Sequence, residues 1–169
     1  LDTTEPTVKK YLHLLEKTYV ISLNKPFYKN VRKELTKSPK VFFHDLGLMH
    51  FAKGKYPSLG KKLNGGEFEN ACFLRLKELE LLEPVRFWRT SSGAEVDFII
   101  FSPKTGNLIP IEAKYTVQRN TLGKSLISFI KSYQPEKVII YNFKNNKEFE
   151  RFDTKAKYLP YWLLPNLVE

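Results

Sequence analysis

The alternation of apolar and polar positions predicts a helix at the start of the chain. Thr4 stands where a cap belongs, Pro6 is tolerated in a first turn, and Val8, Tyr11, Leu12, Leu14 and Leu15 form a broad apolar face up to about Lys17. Short strand-like runs follow at residues 19–23, 27–28 and 41–44, the last entered from Ser38-Pro39 and ended near Asp45-Leu46-Gly47. Residues 54–66 are rich in Lys and Gly and predict a linker, which divides the chain into residues 1–62 and 63–169. Beyond it the periodicity turns helical over residues 67–82, then strand-like over 85–90, with a turn at Ser91-Ser92-Gly93. A second strand is expected over 95–101, a loop over 102–107 around Gly106, and a third strand over 108–115. A helix over 121–133 would turn Leu122, Leu126, Phe129 and Ile130 inward and stop at Pro135, and residues 137–143 read as a buried strand. The predicted order is helix, three strands, helix, strand, that of an α/β domain.

Three interruptions of this apolar pattern carry chemistry, because a charge on an inward face costs several kcal/mol unless something pairs with it. Glu69 has Cys72, Phe73 and Leu76 as its helical neighbours and is expected to point inward, whereas Glu67 shares its side with Asn70. Asp97 is the one acid inside Val96-Asp97-Phe98-Ile99-Ile100. Alternation puts Glu112 and Lys114 on the face of their strand opposite Ile109, Ile111 and Ala113. Carboxylates brought together from a helix and two strands repel one another, and a hard divalent cation with oxygen ligands relieves that repulsion. The set therefore predicts a Mg²⁺ or Mn²⁺ site held by Glu69, Asp97 and Glu112. Lys114, two residues past a ligating acid, is suited to orient a water or to neutralise charge growing on phosphorus.

The element order, with Asp97 followed by Glu112-Ala113-Lys114, resembles the PD-(D/E)XK (restriction-endonuclease-like) superfamily, which implies a central mixed sheet flanked by helices. Longer runs resemble the C-terminal domain of unknown function of archaeal and bacterial AAA-type ATPases. They are Ser38-Pro39-Lys40-Val41-Phe42-Phe43-His44-Asp45-Leu46-Gly47-Leu48, Gly66-Glu67-Phe68-Glu69-Asn70, Phe87-Trp88-Arg89-Thr90, Ser92-Gly93-Ala94-Glu95-Val96-Asp97-Phe98 and Ile109-Pro110-Ile111-Glu112-Ala113-Lys114. The resemblance implies a nuclease-like module joined to an ATPase portion in a longer chain. In it Glu69 would be the helix carboxylate, Asp97 and Glu112 the central ligands, Lys114 the catalytic lysine and Gln118 an accessory group. No proline precedes Asp97, which departs from the literal motif. The first helix with its basic ribbons resembles the last helix and wing of a winged helix.

Charge adds a partner. Residues 1–62 hold 13 Lys and Arg against 5 Asp and Glu, and residues 63–169 hold 15 against 13, so most of the +10 excess is N-terminal. Such an excess favours nucleic acid, here DNA, through phosphate neutralisation, although a solvated lysine-rich surface has the same composition. A lone cysteine, Cys72, excludes an internal disulfide and thiolate-rich zinc sites and fits a cytoplasmic setting. No apolar run reaches the roughly 20 residues of a membrane span, and Leu1 in place of Met is expected of a piece of a longer protein. Gly123-Lys124-Ser125 lacks the preceding glycine of a phosphate loop, so ATP is not expected to bind. His44, Asp45 and His50 have no complementary ligands at zinc spacing and are expected to pack at a strand end. Ser91 and Ser92 lack the surroundings of a nucleophilic serine. Glu95 shares Asp97's face but is expected at an exposed edge, and Trp88 is expected in the core beside a phosphate-reaching Arg89. Two alternatives to catalysis stay open: a nucleic-acid-binding or regulatory module, and an assembly domain whose charges are a buried salt-bridged cluster. Oligomeric state is open as well.

Overall fold

The computed structural model describes residues 3–27, 38–54, 63–79, 81, 83–117 and 121–163. The chain runs α1 (Glu5–Lys17), β1 (Ile21–Asn24), β2 (Lys40–Phe43), α2 (Leu46–Ala52), α3 (Gly65–Lys77), β3 (Arg86–Arg89), β4 (Glu95–Phe101), β5 (Leu108–Ala113), α4 (Lys124–Tyr133), β6 (Lys137–Asn142), β7 (Lys147–Arg151) and β8 (Thr154–Pro160). It is mixed α/β, with a mixed six-stranded sheet of order β3-β4-β5-β6-β8-β7 flanked by helices.

The first three strands of that sheet form an antiparallel meander, turned at Gly93 (φ 87°) and close to Gly106 (φ 69°), where a side chain would be strained. β5 and β6 are parallel, so the chain must cross over between them, and α4 supplies the crossover. One sheet face packs on α3 through Phe68, Cys72, Phe73 and Leu76 against Phe98, Ile100, Ile109, Ile111 and Tyr141. The other packs on α4 through Leu126, Phe129 and Ile130, with Leu122 just before the helix, against Val96, Ile99, Val138, Ile140 and Tyr158. Both faces of β4, β5 and β6 are thus covered, which is why these strands read as nearly continuous apolar runs.

The structure departs from the sequence expectations at several points. α3 is stopped at Lys77, five residues short of the expected end, and Leu79 and Leu81 leave the helix to pack on the core. Asp45 does not end a strand but caps α2, accepting the Leu48 N–H at 2.6 Å. Residues 65 and 66 are the first turn of α3 rather than linker, and residues 55–62 lie outside the described residues. β7 and β8 were not anticipated. β7 is an edge strand with the pattern Lys-Glu-Phe-Glu-Arg, largely exposed, and charge on an edge hides strand periodicity while it discourages edge-to-edge pairing. The turn joining it to β8 is Phe152-Asp153, both at positive φ (55° and 56°), without the Gly or Asn that marks such a turn in a sequence.

The N-terminal hairpin is tied to the same core. Phe42 stacks on Phe73 with ring centroids 4.2 Å apart, and the side-chain amide of Asn70 accepts the Phe43 N–H and donates to the Phe43 carbonyl, both at 2.8 Å. Past β1 the chain touches the free edge of β3, where Phe27 donates to the Phe87 carbonyl and Phe87 to that of Lys25. α1 buries no residue. No helix among the described residues is long and apolar enough to cross a membrane.

Candidate metal centre

The centre is organised by one irregularity in β4. Arg86 pairs with Ile99 and Trp88 with Val96, so two steps along β3 span three along β4, and the extra residue falls at Asp97-Phe98. Val96 and Ile99, an odd number of positions apart, therefore both face α4. Glu95 and Asp97 meet Glu69 of α3 instead, and carboxylate oxygens of the three lie within 4.8 Å of one another. Asp97 also replaces a rung of the β4–β5 ladder: regular pairing ends at Phe98 and Ile111, and the next free N–H, that of Ala113, donates to Asp97 Oδ2 at 2.8 Å.

Into this cluster reaches Lys40, the first residue of β2. Its ammonium lies 2.6 Å from Glu69 Oε1, in contact with Glu95 Oε1 and 3.7 Å from Asp97 Oδ1, with its side chain only 15% exposed. Burial alone would lower the lysine's affinity for its proton, but the charges of Glu69 and Asp97 outweigh it and hold Lys40 above the ordinary range. Burial raises the Glu69 carboxyl, reinforced by the charge of Asp97, and burial raises Asp97 despite Lys40 and the Ala113 N–H. Glu95 goes the other way: burial pushes it up, and its contacts with Arg89 and Lys40 overcome that and hold it below the ordinary range.

Glu112 and Lys114 form a second pair beside the cluster, Lys114 Nζ lying 2.8 Å from Glu112 Oε1. Glu112 Oε2 is buried without a hydrogen-bond partner. The Glu112 carboxyl is raised by burial and by the charge of Asp97, against the pull of Lys114. A Cβ added to Gly123, which opens α4, would stand 3.8 Å from Glu112 Oε1, so the helix start approaches this acid closely.

Of the residues singled out in the sequence, Glu69 and Asp97 are brought together. Among the described residues the acid that completes their group is Glu95, not Glu112, which stays with Lys114. Glu95 shares Asp97's face as expected, but the expectation that it sits at an exposed edge is corrected: Lys40 and Glu69 cover it there. Glu67 is corrected too, being 5% exposed, because as the third residue of α3 it reaches back to the Asn64 N–H in a capping box and lies near His50. Gln118 lies outside the described residues. His44 bonds Ser22 at 2.7 Å and Trp88 is buried against Phe129. Lys40 was missed although a signal existed: it shares the inward face of β2 with Phe42, two positions on, and a lysine on a buried face is the same kind of anomaly as Asp97.

Two families match the chain. Residues 1–59 match the family described as Domain of unknown function (DUF8612), and residues 64–164, more than half of the chain, match Domain of unknown function (DUF4143). The chain belongs to the DUF4143 family. Uncharacterized proteins of Mycobacterium bovis and Mycobacterium tuberculosis are each 30% identical to it over 103 residues, which cover 59% of this chain and 23% of theirs. The matched part is thus less than a quarter of the length of these curated relatives, and no solved structure matches the chain. Glu69, Glu95, Asp97, Glu112 and Lys114 all fall within the DUF4143 match, whereas Lys40 comes from the DUF8612 match.

Proposed function

We propose that this DUF4143 chain is a metal-dependent nuclease-like domain with a restriction-endonuclease-like core, hydrolysing phosphodiester bonds of DNA with Mg²⁺ or Mn²⁺ as part of a larger AAA-type ATPase. The observation that carries the reading is the convergence of Glu69, Glu95 and Asp97 within 4.8 Å, beside an acid, Glu112, whose buried Oε2 has no partner. Several half-buried carboxylates and an orphaned carboxylate oxygen suit a hard cation that takes oxygen ligands. Glu69, Glu95 and Asp97 would hold it, with Glu112 adjoining, and it would supply Lewis acidity toward a phosphodiester oxygen.

The chain's own groups account for the remaining requirements. Lys114 is held by Glu112 and has a side chain about half exposed (54%), so its ammonium is available to a phosphate oxygen or to an attacking water. The Ala113 N–H, donating to Asp97 Oδ2, orients this carboxylate toward the other acids. A cleft of roughly 420 Å³ next to the acids is lined by Lys40, Lys53, Glu69 and Arg89, and the exposed Lys53 on its wall can meet a phosphate backbone. The first helix and the β1–β2 hairpin, read as the end of a winged helix, would add the basic surface of residues 1–62.

The test incubates wild type, Asp97→Asn and Lys114→Ala with single-stranded, duplex and branched DNA under Mg²⁺ or Mn²⁺. Metal-dependent cleavage by the wild type, reduced in both variants by about 100-fold or more, is the expected result. Equal cleavage by all three would trace the activity to a contaminant and remove the case for catalysis. The contact of Lys40 with all three acids favours a second reading, a regulatory or assembly module of the ATPase in which the lysine, with Arg89 on Glu95 and the Ala113 N–H on Asp97, satisfies the cluster. It predicts no Mn²⁺ binding by calorimetry.

A further inference from the structure

We infer that Lys40 is a tethered counter-ion occupying the acidic centre, which a divalent cation must displace, so that the N-terminal hairpin governs loading of the site. The inference rests on the reading of Glu69, Glu95 and Asp97 as cation ligands. A cation on carboxylate oxygens sits roughly 2.0–2.6 Å from them, and the Lys40 ammonium already engages one oxygen of each acid. Both cannot occupy one set of oxygens, and both carry positive charge.

The local architecture permits the exchange. The backbone of β2 is pinned by the stack of Phe42 on Phe73 and by the Asn70 amide on Phe43, two and three residues past Lys40. The lysine itself stands at the loop end of the hairpin, opposite Asn24 and away from the pinned Phe43. Its flexible four-carbon stem can leave the acids while the strand stays put, and the cleft at the site's mouth, with Asn70 and Lys53 on its walls, gives it room. The lysine and the acids belong to separately recognised parts of the chain, residues 1–59 and 64–164. Lysine also satisfies the cluster in the cation's absence, which keeps three adjoining carboxylates from forcing α3 and β4 apart.

Two measurements decide it. Mn²⁺ binding by calorimetry is compared between wild type and Lys40→Met, and the labelling of Lys40 by an amine-acylating reagent is followed by mass spectrometry in the wild type with and without Mn²⁺. Lys40→Met should bind Mn²⁺ at least about tenfold more tightly, and wild-type Lys40 should be protected without the metal and labelled severalfold faster with it. Equal affinities, or weaker binding by Lys40→Met, with labelling indifferent to Mn²⁺, would overturn the inference and leave the cation site standing. Absence of Mn²⁺ binding in both folded proteins would defeat the cation site itself, and this inference with it. Should Lys40→Met not fold, the wild-type labelling decides alone.

Discussion

Asn70 is the residue on which the hairpin's attachment can be weighed. It is 2% exposed, and its amide makes two 2.8 Å bonds to one peptide, accepting from the Phe43 N–H and donating to the Phe43 carbonyl. Asn70→Ala removes both and leaves a backbone donor and acceptor facing a methyl group. An unsatisfied buried polar group costs about 1–3 kcal/mol. Because Phe43 is only half-buried, water recovers part of that, and a net loss of about 2–3 kcal/mol is expected for the two bonds together. The assay is equilibrium urea unfolding. With a slope of about 2 kcal/mol/M for a chain of this size, the midpoint should fall by roughly 1–1.5 M at unchanged slope. Asn70→Asp separates geometry from charge: it keeps an acceptor for the N–H, loses the donor, and sets a carboxylate against the Phe43 carbonyl, so it should be no more stable than Asn70→Ala. A midpoint within about 0.3 M of wild type for Asn70→Ala would refute the reasoning, since the fork would then be dispensable and Phe42 stacking alone would hold the hairpin.

Two further outcomes follow from local geometry. Phe152 and Asp153 occupy positive φ in the β7–β8 turn, so Phe152→Asn with Asp153→Gly should raise stability by about 0.5–1 kcal/mol. A lower melting temperature for the double variant would mean that the contact of Arg151 with the Phe152 ring, 5.2 Å from its centroid, outweighs the strain. His44 is pushed below the ordinary imidazole range, first by burial and then by the charge of Lys77. A depressed native value means that the unfolded chain takes up the proton first on acidification. This group's contribution is thus complete above about pH 6.5 and lost as pH falls through the native value. An NMR titration placing native His44 at or above 6.5 would contradict that direction.

Much of the fold was written in local pattern. β4, β5 and β6 read as apolar runs suited to burial on both faces, α4 is buried on the face its own periodicity sets, and the turns at Gly93 and Gly106 carry the residue that positive φ demands. The same logic marked Glu69, Asp97, Glu112 and Lys114, since a charge on an apolar face is visible without knowing what it meets. What it meets was not visible. Alternation assigns a face only while the strand stays regular, and one extra residue at Asp97-Phe98 sets Glu95 and Asp97 on the same side of the sheet as Phe98 and Ile100, toward α3 and Lys40. Glu67 is buried because it caps its own helix, which depends on where that helix starts. β7 escaped notice because an exposed charged edge has no apolar side to alternate with. Lys40 lies 29 residues from Glu69 in the chain, and only the docking of the hairpin on α3 makes them neighbours. Periodicity is a property of a few consecutive residues, whereas the partners of a buried charge are chosen by the packing of elements far apart in sequence.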